Sequence, residues 1–284
     1  MATTLTTTLT TTDLAAYAAR LENEERSRAT IEKYLRDTAA FARWLGGAIV
    51  TKERVGAWKA QLIASGYAPA TINAMLSAVN SLLRFLGWEE CRVKFLKVQR
   101  RAFRDDRREL SRSEYERLVA TARAQGRERL ALLMEAICST GVRVSEVQYL
   151  TVEAAKIGQA EIRLKGKIRV VLLPRKLCRK LLKFAAKNKT ASGEIFLTKS
   201  GKGLSRRQIW AEMKRLCQAA GVAPTKVFPH NLRHLFARTF YQVCRDVVKL
   251  ADVLGHSSID TTRIYLLSTG TEHTRVLEQM HLNL

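Results

Sequence analysis

Apolar residues recur every three or four positions from Leu14 to Leu86, and this periodicity constrains the fold more than any other feature of the chain. Such spacing places apolar side chains on one face of a helix. Glycines at positions 46, 47, 66 and 87 interrupt the pattern, as expected where helices end. The pattern therefore predicts an all-helical first domain over residues 13–98. Residues 1–12 are rich in Thr, lack the periodicity and are predicted to form a flexible tail.

A second domain is predicted over residues 109–284, because 284 residues exceed the usual size of a single domain. Ser111 and Glu114 have the spacing of a capping box at the start of a helix. Residues 161–173 are rich in β-branched side chains, contain Gly166 and end at Pro174, which predicts a β-hairpin. Helices are predicted over 115–124, 129–138, 177–186, 206–220, 230–243, 246–254, 259–267 and 272–282. The predicted fold class is mainly α, with a mixed α/β second domain that contains one small hairpin.

The charge balance indicates the partner. Lys and Arg total 49 against 26 Asp and Glu, and the formal net charge is +23. A field of that sign attracts polyanions, so DNA is the predicted partner, although charge alone does not separate DNA from anionic lipid or from a merely soluble surface. The apolar runs are too short to span a bilayer and the start lacks the features of a secretion signal, which predicts a cytoplasmic protein without a membrane partner. The five cysteines form no CxxC pair and are predicted to be reduced core residues.

Basic residues are concentrated just before the second domain. Eight Lys and Arg residues and two acidic ones lie between Arg92 and Arg108, where the apolar periodicity is interrupted. Residues 99–108 are therefore predicted to form a linker that contacts DNA phosphates. The predicted DNA-binding residues of this linker are Arg100, Arg101, Arg104, Arg107 and Arg108.

The second domain contains the side chains that strand cleavage by an attached nucleophile requires. A hydroxyl nucleophile keeps the bond energy in a covalent link to phosphorus. Planar Arg neutralises charge on the non-bridging oxygens, and Lys or His supplies or accepts protons. The phrase TGVRVSE contains Arg143, and HNLRH contains His230 and Arg233, whose spacing of three residues predicts one face of a helix. The phrase LGHSSIDTTRIY contains His256 and, nine residues later, Tyr265 on the next predicted helix.

Each of these residues alone has an ordinary structural explanation. Tyr265 would be a residue of an amphipathic helix, and His256 would follow a helix end. His230 and Arg233 would be an exposed pair one helical turn apart. The ordered set does not have such an explanation, because several independent coincidences of residue type and spacing would be needed. His234, next to Arg233, is interpreted as structural.

These phrases, together with LKGKIRVVLLP around Lys165, resemble the tyrosine recombinase or phage integrase family in their order and spacing. The resemblance covers essentially the whole second domain. The helical first domain resembles the core-binding, SAM-like domain of the family. The length resembles minimal, Xer-like members without an arm-binding domain, and the implied fold is that of a tyrosine recombinase.

The resemblance implies a role for each matched residue. Tyr265 would attack phosphorus and leave a 3′-phosphotyrosine, while Lys165 would protonate the leaving 5′ oxygen. His230 would accept the phenol proton. Arg143, Arg233 and His256 would hold the non-bridging oxygens, and Glu146 would orient Arg143. Neither a metal nor another cofactor is expected, since the covalent link preserves the bond energy; the sequence also lacks a complete Walker motif and a metalloprotease motif.

The resemblance also implies an assembly. Double-stranded DNA would lie between the two domains as in a clamp, and a homo-tetramer on paired sites would exchange strands through a Holliday junction. The C-terminal segment, with an apolar stripe of Val276, Leu277 and Met280, would dock on a neighbouring subunit, although packing within its own chain fits the stripe equally well. The implied function is site-specific DNA recombination that integrates or excises a mobile element.

Three alternatives stay open on the sequence. The first is Xer-type resolution of chromosome or plasmid dimers. The second is nicking and rejoining like that of a type IB topoisomerase, which uses a similar set of Tyr, Arg and Lys. The third, disfavoured by the intact set of matched residues, is a DNA-binding regulator that keeps the fold without the reaction.

Overall fold

The computed structural model describes residues 8–98, 106–164, 167–265 and 278–280. The chain divides into two compact units, Met1–Arg100 and Arg101–Leu284. Each unit has an apolar core of its own. Among the described residues, no helix combines the length and the apolar character that crossing a membrane would need.

The first unit is helical, as the periodicity predicts. It contains α1 (Thr11–Asn23), α2 (Arg28–Leu45), α3 (Lys52–Ala64) and α4 (Pro69–Phe85), followed by a short 3₁₀ turn over Glu89–Cys91. Helix α2 ends where Gly46 takes a left-handed conformation with φ of 61°, which a residue without Cβ adopts at no steric cost. The core consists of the apolar faces of α2, α3 and α4.

The predicted flexible tail over residues 1–12 is wrong for residues 8–12. Helix α1 already begins at Thr11, because Thr10 and Asp13 form a reciprocal capping box with bonds of 2.8 and 3.2 Å. Thr8 also forms an isolated β-bridge with Ile49. Apolar periodicity does not reveal this start, since a cap is made by polar side chains. Residues 1–7 lie outside the described residues.

The second unit surrounds the buried helix α6. Its elements are α5 (Arg112–Ala124), α6 (Glu128–Thr140), α7 (Val152–Ile157), β1 (Gln159–Leu164), β2 (Lys167–Leu172), α8 (Arg175–Lys187), α9 (Arg206–Lys214), α10 (Pro229–Cys244), α11 (Val247–Leu254) and α12 (Ile259–Arg263). Strands β1 and β2 pair in antiparallel register as the predicted hairpin. The predicted capping box of Ser111 and Glu114 begins α5. Helix α6 packs against α5, α8 and α10, so its C-terminal end lies beside the start of α10.

Several predicted boundaries in this unit are wrong. The helix predicted over 206–220 ends at Lys214, and the helix predicted over 259–267 ends at Arg263, which leaves Tyr265 in a turn. After Arg143 the chain forms a 3₁₀ helix over Val144–Tyr149, which none of the predicted helix ranges covers. Helix α7 was not predicted, because six residues are too short for a periodic signal. Of the predicted helix 272–282, only residues 278–280 are described.

All five cysteines are free thiols. Cys91, Cys178 and Cys217 are buried, whereas Cys138 and Cys244 are partly buried. Within the described ranges no group of three or more His, Cys, Asp or Glu side chains is arranged to hold a metal ion.

Candidate active site

Among the described residues of the second unit, Arg233 is the most deeply buried charge, with an exposed fraction of 1%. Its guanidinium donates hydrogen bonds to the carbonyl of Gly141, at the end of α6, and to the carbonyl of Leu254, at the end of α11 (2.8 Å). A third contact reaches His256 Nε2 at 2.9 Å. Arg233 therefore joins the ends of two helices to the residue that follows the second one.

No carboxylate of the described residues pairs with Arg233. Burial, followed by the nearby charge of Arg143, lowers the pKa of Arg233 to about 10, so the guanidinium stays charged at neutral pH. A buried charge without a counter-ion is costly, and an incoming anion would remove that cost. The arrangement is therefore suited to bind a phosphate.

Arg143 lies at the start of the 3₁₀ helix and is held by the buried carboxylate of Glu146. Glu146 accepts hydrogen bonds from the Arg143 backbone N–H at 2.7 Å and from Arg143 Nη1 at 2.8 Å. The Arg143 side chain remains 40% exposed, so a phosphate can reach it. Burial alone would raise the pKa of Glu146, but its hydrogen bonds with Arg143 and the charge of Arg169 outweigh burial and lower it. The carboxylate is thus charged at neutral pH, as the predicted orienting role requires.

His256 follows Gly255, which ends α11 in a left-handed conformation with φ of 63°. Its Nε2 accepts from the Arg233 guanidinium, which can only donate. In the neutral ring Nδ1 therefore carries the proton and donates to Thr262 Oγ1 at 2.8 Å. Burial and the charges of Arg233 and Arg143 lower the pKa of His256 to about 4, which keeps the ring neutral at neutral pH.

Tyr265 lies in the turn after α12 with an exposed fraction of 4%. Its ring stacks on His256 with centroids 5.9 Å apart. The ring also meets the edge of His234 at a centroid distance of 4.7 Å. Its phenol lies near the Arg233 guanidinium and favours the charged form of Arg233, which raises the pKa of Arg233. The sequence-predicted nucleophile is therefore placed beside a sequence-predicted phosphate ligand.

His230 lies on α10, one helical turn before Arg233. Burial of its ring and the charges of His234, Arg233 and Arg143 lower its pKa to about 4. A neutral imidazole at neutral pH can accept a proton. Since the charges of Arg143 and Arg233 both lower the pKa of His230, its ring lies within the electrostatic range of both arginines.

The structure thus brings Arg143, His230, Arg233, His256 and Tyr265 into one site. Lys165 lies outside the described residues, between the ends of β1 and β2.

The predicted DNA-binding arginines of the linker are only partly described. Arg100, Arg101 and Arg104 also lie outside the described residues. Arg107 and Arg108 belong to a 3₁₀ turn over Asp106–Arg108, with exposed side chains. The carbonyl of Arg108 accepts from the buried Asn231 side chain at 2.6 Å, which fixes the end of this turn against α10.

His234, which the sequence analysis interprets as structural, lies beside the site residues in the structure. Its ring lies between His230, at a centroid distance of 4.5 Å, and Tyr265. Its Nδ1 is 3.4 Å from a carboxylate oxygen of Glu109, which also pairs with Arg238 at 3.0 Å. The sequence gives one weak signal for this position, since His230 and His234 are four residues apart and share a face of α10.

Sequence reasoning missed Arg169 on β2. This side chain bonds to Glu146 and to the last turn of α11. The available signal was its place in the alternation of β2, because Arg169 shares a strand face with the buried Val171 and Leu173.

Comparison with known proteins places this site in a family. Residues 108–271 match the phage integrase family, and residues 7–90 match the phage integrase N-terminal SAM-like domain. The tyrosine recombinase XerD of Brucella suis biovar 1 is 32% identical, over 88% of this chain and 87% of that protein. A lambda integrase (75–356) dimer bound to a COC′ core site has a similar fold, with a TM-score of 0.75 and 19% identity over 93% of this chain and 96% of that chain. A lambda integrase tetramer bound to a Holliday junction gives a TM-score of 0.73 and 20% identity over 89% of this chain and 76% of that chain.

The fold, the site and these matches define a tyrosine site-specific recombinase, an enzyme of site-specific DNA recombination. The chain belongs to the phage integrase family, and its relatives include recombinases of the Xer type.

Proposed function

We propose that the chain exchanges DNA strands by cleaving and rejoining them through a covalent link to Tyr265. The observation that carries this proposal is the stacking of Tyr265 on His256, whose Nε2 bonds to the buried Arg233 guanidinium, with the phenol near that guanidinium. Guanidinium groups bind phosphate, and a phenol oxygen can attack phosphorus. This arrangement brings the attacking oxygen close to the group that would hold the scissile phosphate.

In the proposed reaction the phenol oxygen forms a bond to phosphorus as the bond from phosphorus to the 5′ oxygen breaks. The products are a 3′-phosphotyrosine and a free 5′ hydroxyl. Arg143 and Arg233 bind the non-bridging oxygens, and Lys165 donates a proton to the leaving oxygen. The phosphotyrosine conserves the energy of the broken bond, so a 5′ hydroxyl from another strand can reverse the step without ATP or a metal ion.

His230 is the proposed acceptor of the phenol proton, because its ring is neutral near neutral pH. His256 acts first through Arg233, because its Nε2 accepts a hydrogen bond from the Arg233 guanidinium. A direct hydrogen bond from His256 to the phosphate requires a proton on Nε2. An approaching phosphate favours that proton, since a nearby negative charge raises the pKa of an imidazole.

Cleavage also requires a movement. Tyr265 is 4% exposed as a whole residue, so in the proposed reaction its phenol moves outward to meet a duplex phosphate. The turn after α12 must therefore shift when DNA binds. That shift would separate the phenol from the rings of His234 and His256.

The proposed substrate is double-stranded DNA held by both domains. Residues 13–98 form the core-binding domain, residues 99–108 the basic linker and residues 109–284 the catalytic domain. The lambda integrase tetramer on a Holliday junction supports a homo-tetramer on paired sites as the active assembly. In this proposed tetramer the C-terminal segment docks on a neighbouring subunit. The DNA substrate also favours a cytoplasmic location.

The decisive experiment is covalent capture on a duplex with a nick near the scissile phosphate, from which the cleaved end diffuses away. Tyr265→Phe should bind this DNA as tightly as the wild type and form no covalent complex. Tyr241→Phe is the matched control, because Tyr241 packs in the same small apolar cluster as Tyr265. Covalent capture by Tyr265→Phe would show that another residue is the nucleophile.

Product analysis separates the proposed exchange from its alternatives. A recombinase joins strands between two sites, whereas a topoisomerase-like enzyme relaxes a supercoiled plasmid that carries one site. Sequencing the junctions formed in cells distinguishes integration or excision of an element from resolution of chromosome dimers. Relaxation without any two-site product would contradict the proposal.

A further inference from the structure

We infer that Arg169 is a positioning residue that holds Arg143 and the segment of His256 in one arrangement for strand cleavage. This inference rests on the proposed function. Arg169 lies on β2 and is separated by 84 residues from the helix end that it contacts. Its side chain is 15% exposed.

The strand alternation directs Arg169 toward the protein. Ile168, Val170 and Leu172 on one face of β2 are more than half exposed, while Val171 on the other face is buried. Arg169 shares the buried face and pairs in register with the buried Ile162 of β1. A long basic side chain on the inward face of a strand requires polar partners there.

The first partner is Glu146. Arg169 Nη2 lies 2.5 Å from Glu146 Oε2, and Arg143 Nη1 lies 2.8 Å from Glu146 Oε1. A single buried carboxylate thus connects two guanidinium groups. Without Arg169, one of the three hydrogen bonds that fix the Glu146 carboxylate would be lost, and the orientation of Arg143 would be less restricted.

The second partner is the end of α11. Arg169 Nη1 donates to the Val253 carbonyl at 2.8 Å, while Arg233 takes the next carbonyl, that of Leu254. Both carbonyls belong to the last turn, where they lack partners within the helix and where a positive charge is favoured. Arg169 also covers Gly255 so closely that a Cβ there would lie 2.3 Å from Arg169 Cδ. His256 is the next residue, so Arg169 fixes the start of its segment.

The energetics of Arg169 favour a functional role over a purely structural one. Its Nε is buried and has no hydrogen-bond partner among the described residues. An unsatisfied buried donor costs about 1–3 kcal/mol. Replacing a whole buried ion pair by apolar residues of similar volume is often neutral or stabilising, so the stability of the fold does not by itself require an arginine here. Both Nη atoms of Arg169 are occupied by protein groups, so its effect on the phosphate passes through Arg143 and His256.

The test measures the rate of covalent capture and the DNA affinity of Arg169→Met, Arg169→Lys and Arg163→Met. Arg163 is the matched control, because it lies on the same hairpin, is 71% exposed and, among the described residues, forms an ion pair with the neighbouring Glu161 alone. Arg169→Met should reduce the capture rate about 10–100-fold, no more than the loss of a direct phosphate ligand would. DNA affinity should stay within about twofold, and the control should match the wild type. Arg169→Lys should recover part of the rate, since it keeps a charge for Glu146 but cannot reach two partners at once.

A second substrate separates positioning from general damage to the fold. Replacing one non-bridging oxygen of the scissile phosphate by methyl removes the charge that Arg143 neutralises. The deficit of Arg169→Met relative to wild type should then shrink to about threefold or less. An equal deficit on both substrates, or a rate like that of Arg163→Met, would overturn the inference. If Arg169→Met does not unfold cooperatively and is therefore misfolded, the deficits of Arg169→Lys on the two substrates are compared instead. Failure of the wild type itself to capture DNA through Tyr265 would instead refute the proposed function.

Discussion

Neutralising Glu146 without changing its shape should affect both the stability and the activity of the second unit. Glu146 is 3% exposed, and its two oxygens accept three hydrogen bonds from Arg143 and Arg169. In Glu146→Gln one oxygen becomes an amide donor that faces guanidinium donors. Breaking a buried ion pair costs about 3–5 kcal/mol, and because Gln keeps one acceptor we expect about 3 kcal/mol. For a unit of this size that corresponds to a fall in Tm of about 6–12 °C.

The same substitution should slow covalent capture about 30–100-fold, because Arg143 loses the group that orients it toward the phosphate. The assays are thermal unfolding and capture on the nicked duplex. Glu116→Gln is the control, since Glu116 forms an exposed pair with Arg112 on α5 and solvent-exposed pairs contribute little to stability. The Glu146 carboxyl has a lowered pKa in the fold, so its stabilising effect exists at neutral pH and is lost as the pH falls through that pKa. The Tm values of the wild type and of Glu146→Gln should therefore converge as the pH is lowered. Equal Tm shifts for Glu146→Gln and Glu116→Gln at neutral pH would refute the reasoning.

Three further outcomes are expected. Gly141→Ala should destabilise the second unit by about 2–3 kcal/mol in chemical denaturation, because φ is +67° and the new Cβ would lie 2.5 Å from an aromatic ring of α10. The control Gly158→Ala has φ of +80° but open space around the new Cβ, so the second unit should lose only about 1 kcal/mol. Thr262→Val removes the hydrogen-bond partner of His256 and should slow capture about tenfold with unchanged DNA affinity; an unchanged rate would contradict the orienting role. Because His230 and His256 are neutral in the fold with pKa values of about 4, while the ordinary value is near 6.5, stability should fall as the pH drops from about 6.5 toward 4; a Tm that is flat over this range would contradict that view of the site.

The helices of the first unit were predictable because local rules define them. An apolar stripe indicates the buried face, and a left-handed glycine such as Gly46 ends a helix wherever it occurs. The capping box of Ser111 and Glu114 involves residues only three positions apart. The cap that begins α1 at Thr11 is equally local, but it lies in a Thr-rich run without apolar periodicity, where the sequence does not single out one threonine as the cap.

The sequence by itself determined which chemistry the site can perform. Arg143, His230, Arg233, His256 and Tyr265 were identified by residue type, order and spacing, and the structure brings them together. Only the tertiary structure decided how they are held. Arg233 binds a carbonyl 92 residues away, and Arg169 bonds across 23 and 84 residues. Such contacts depend on strand register and on how helix ends meet in space, and no local pattern in a single sequence encodes either.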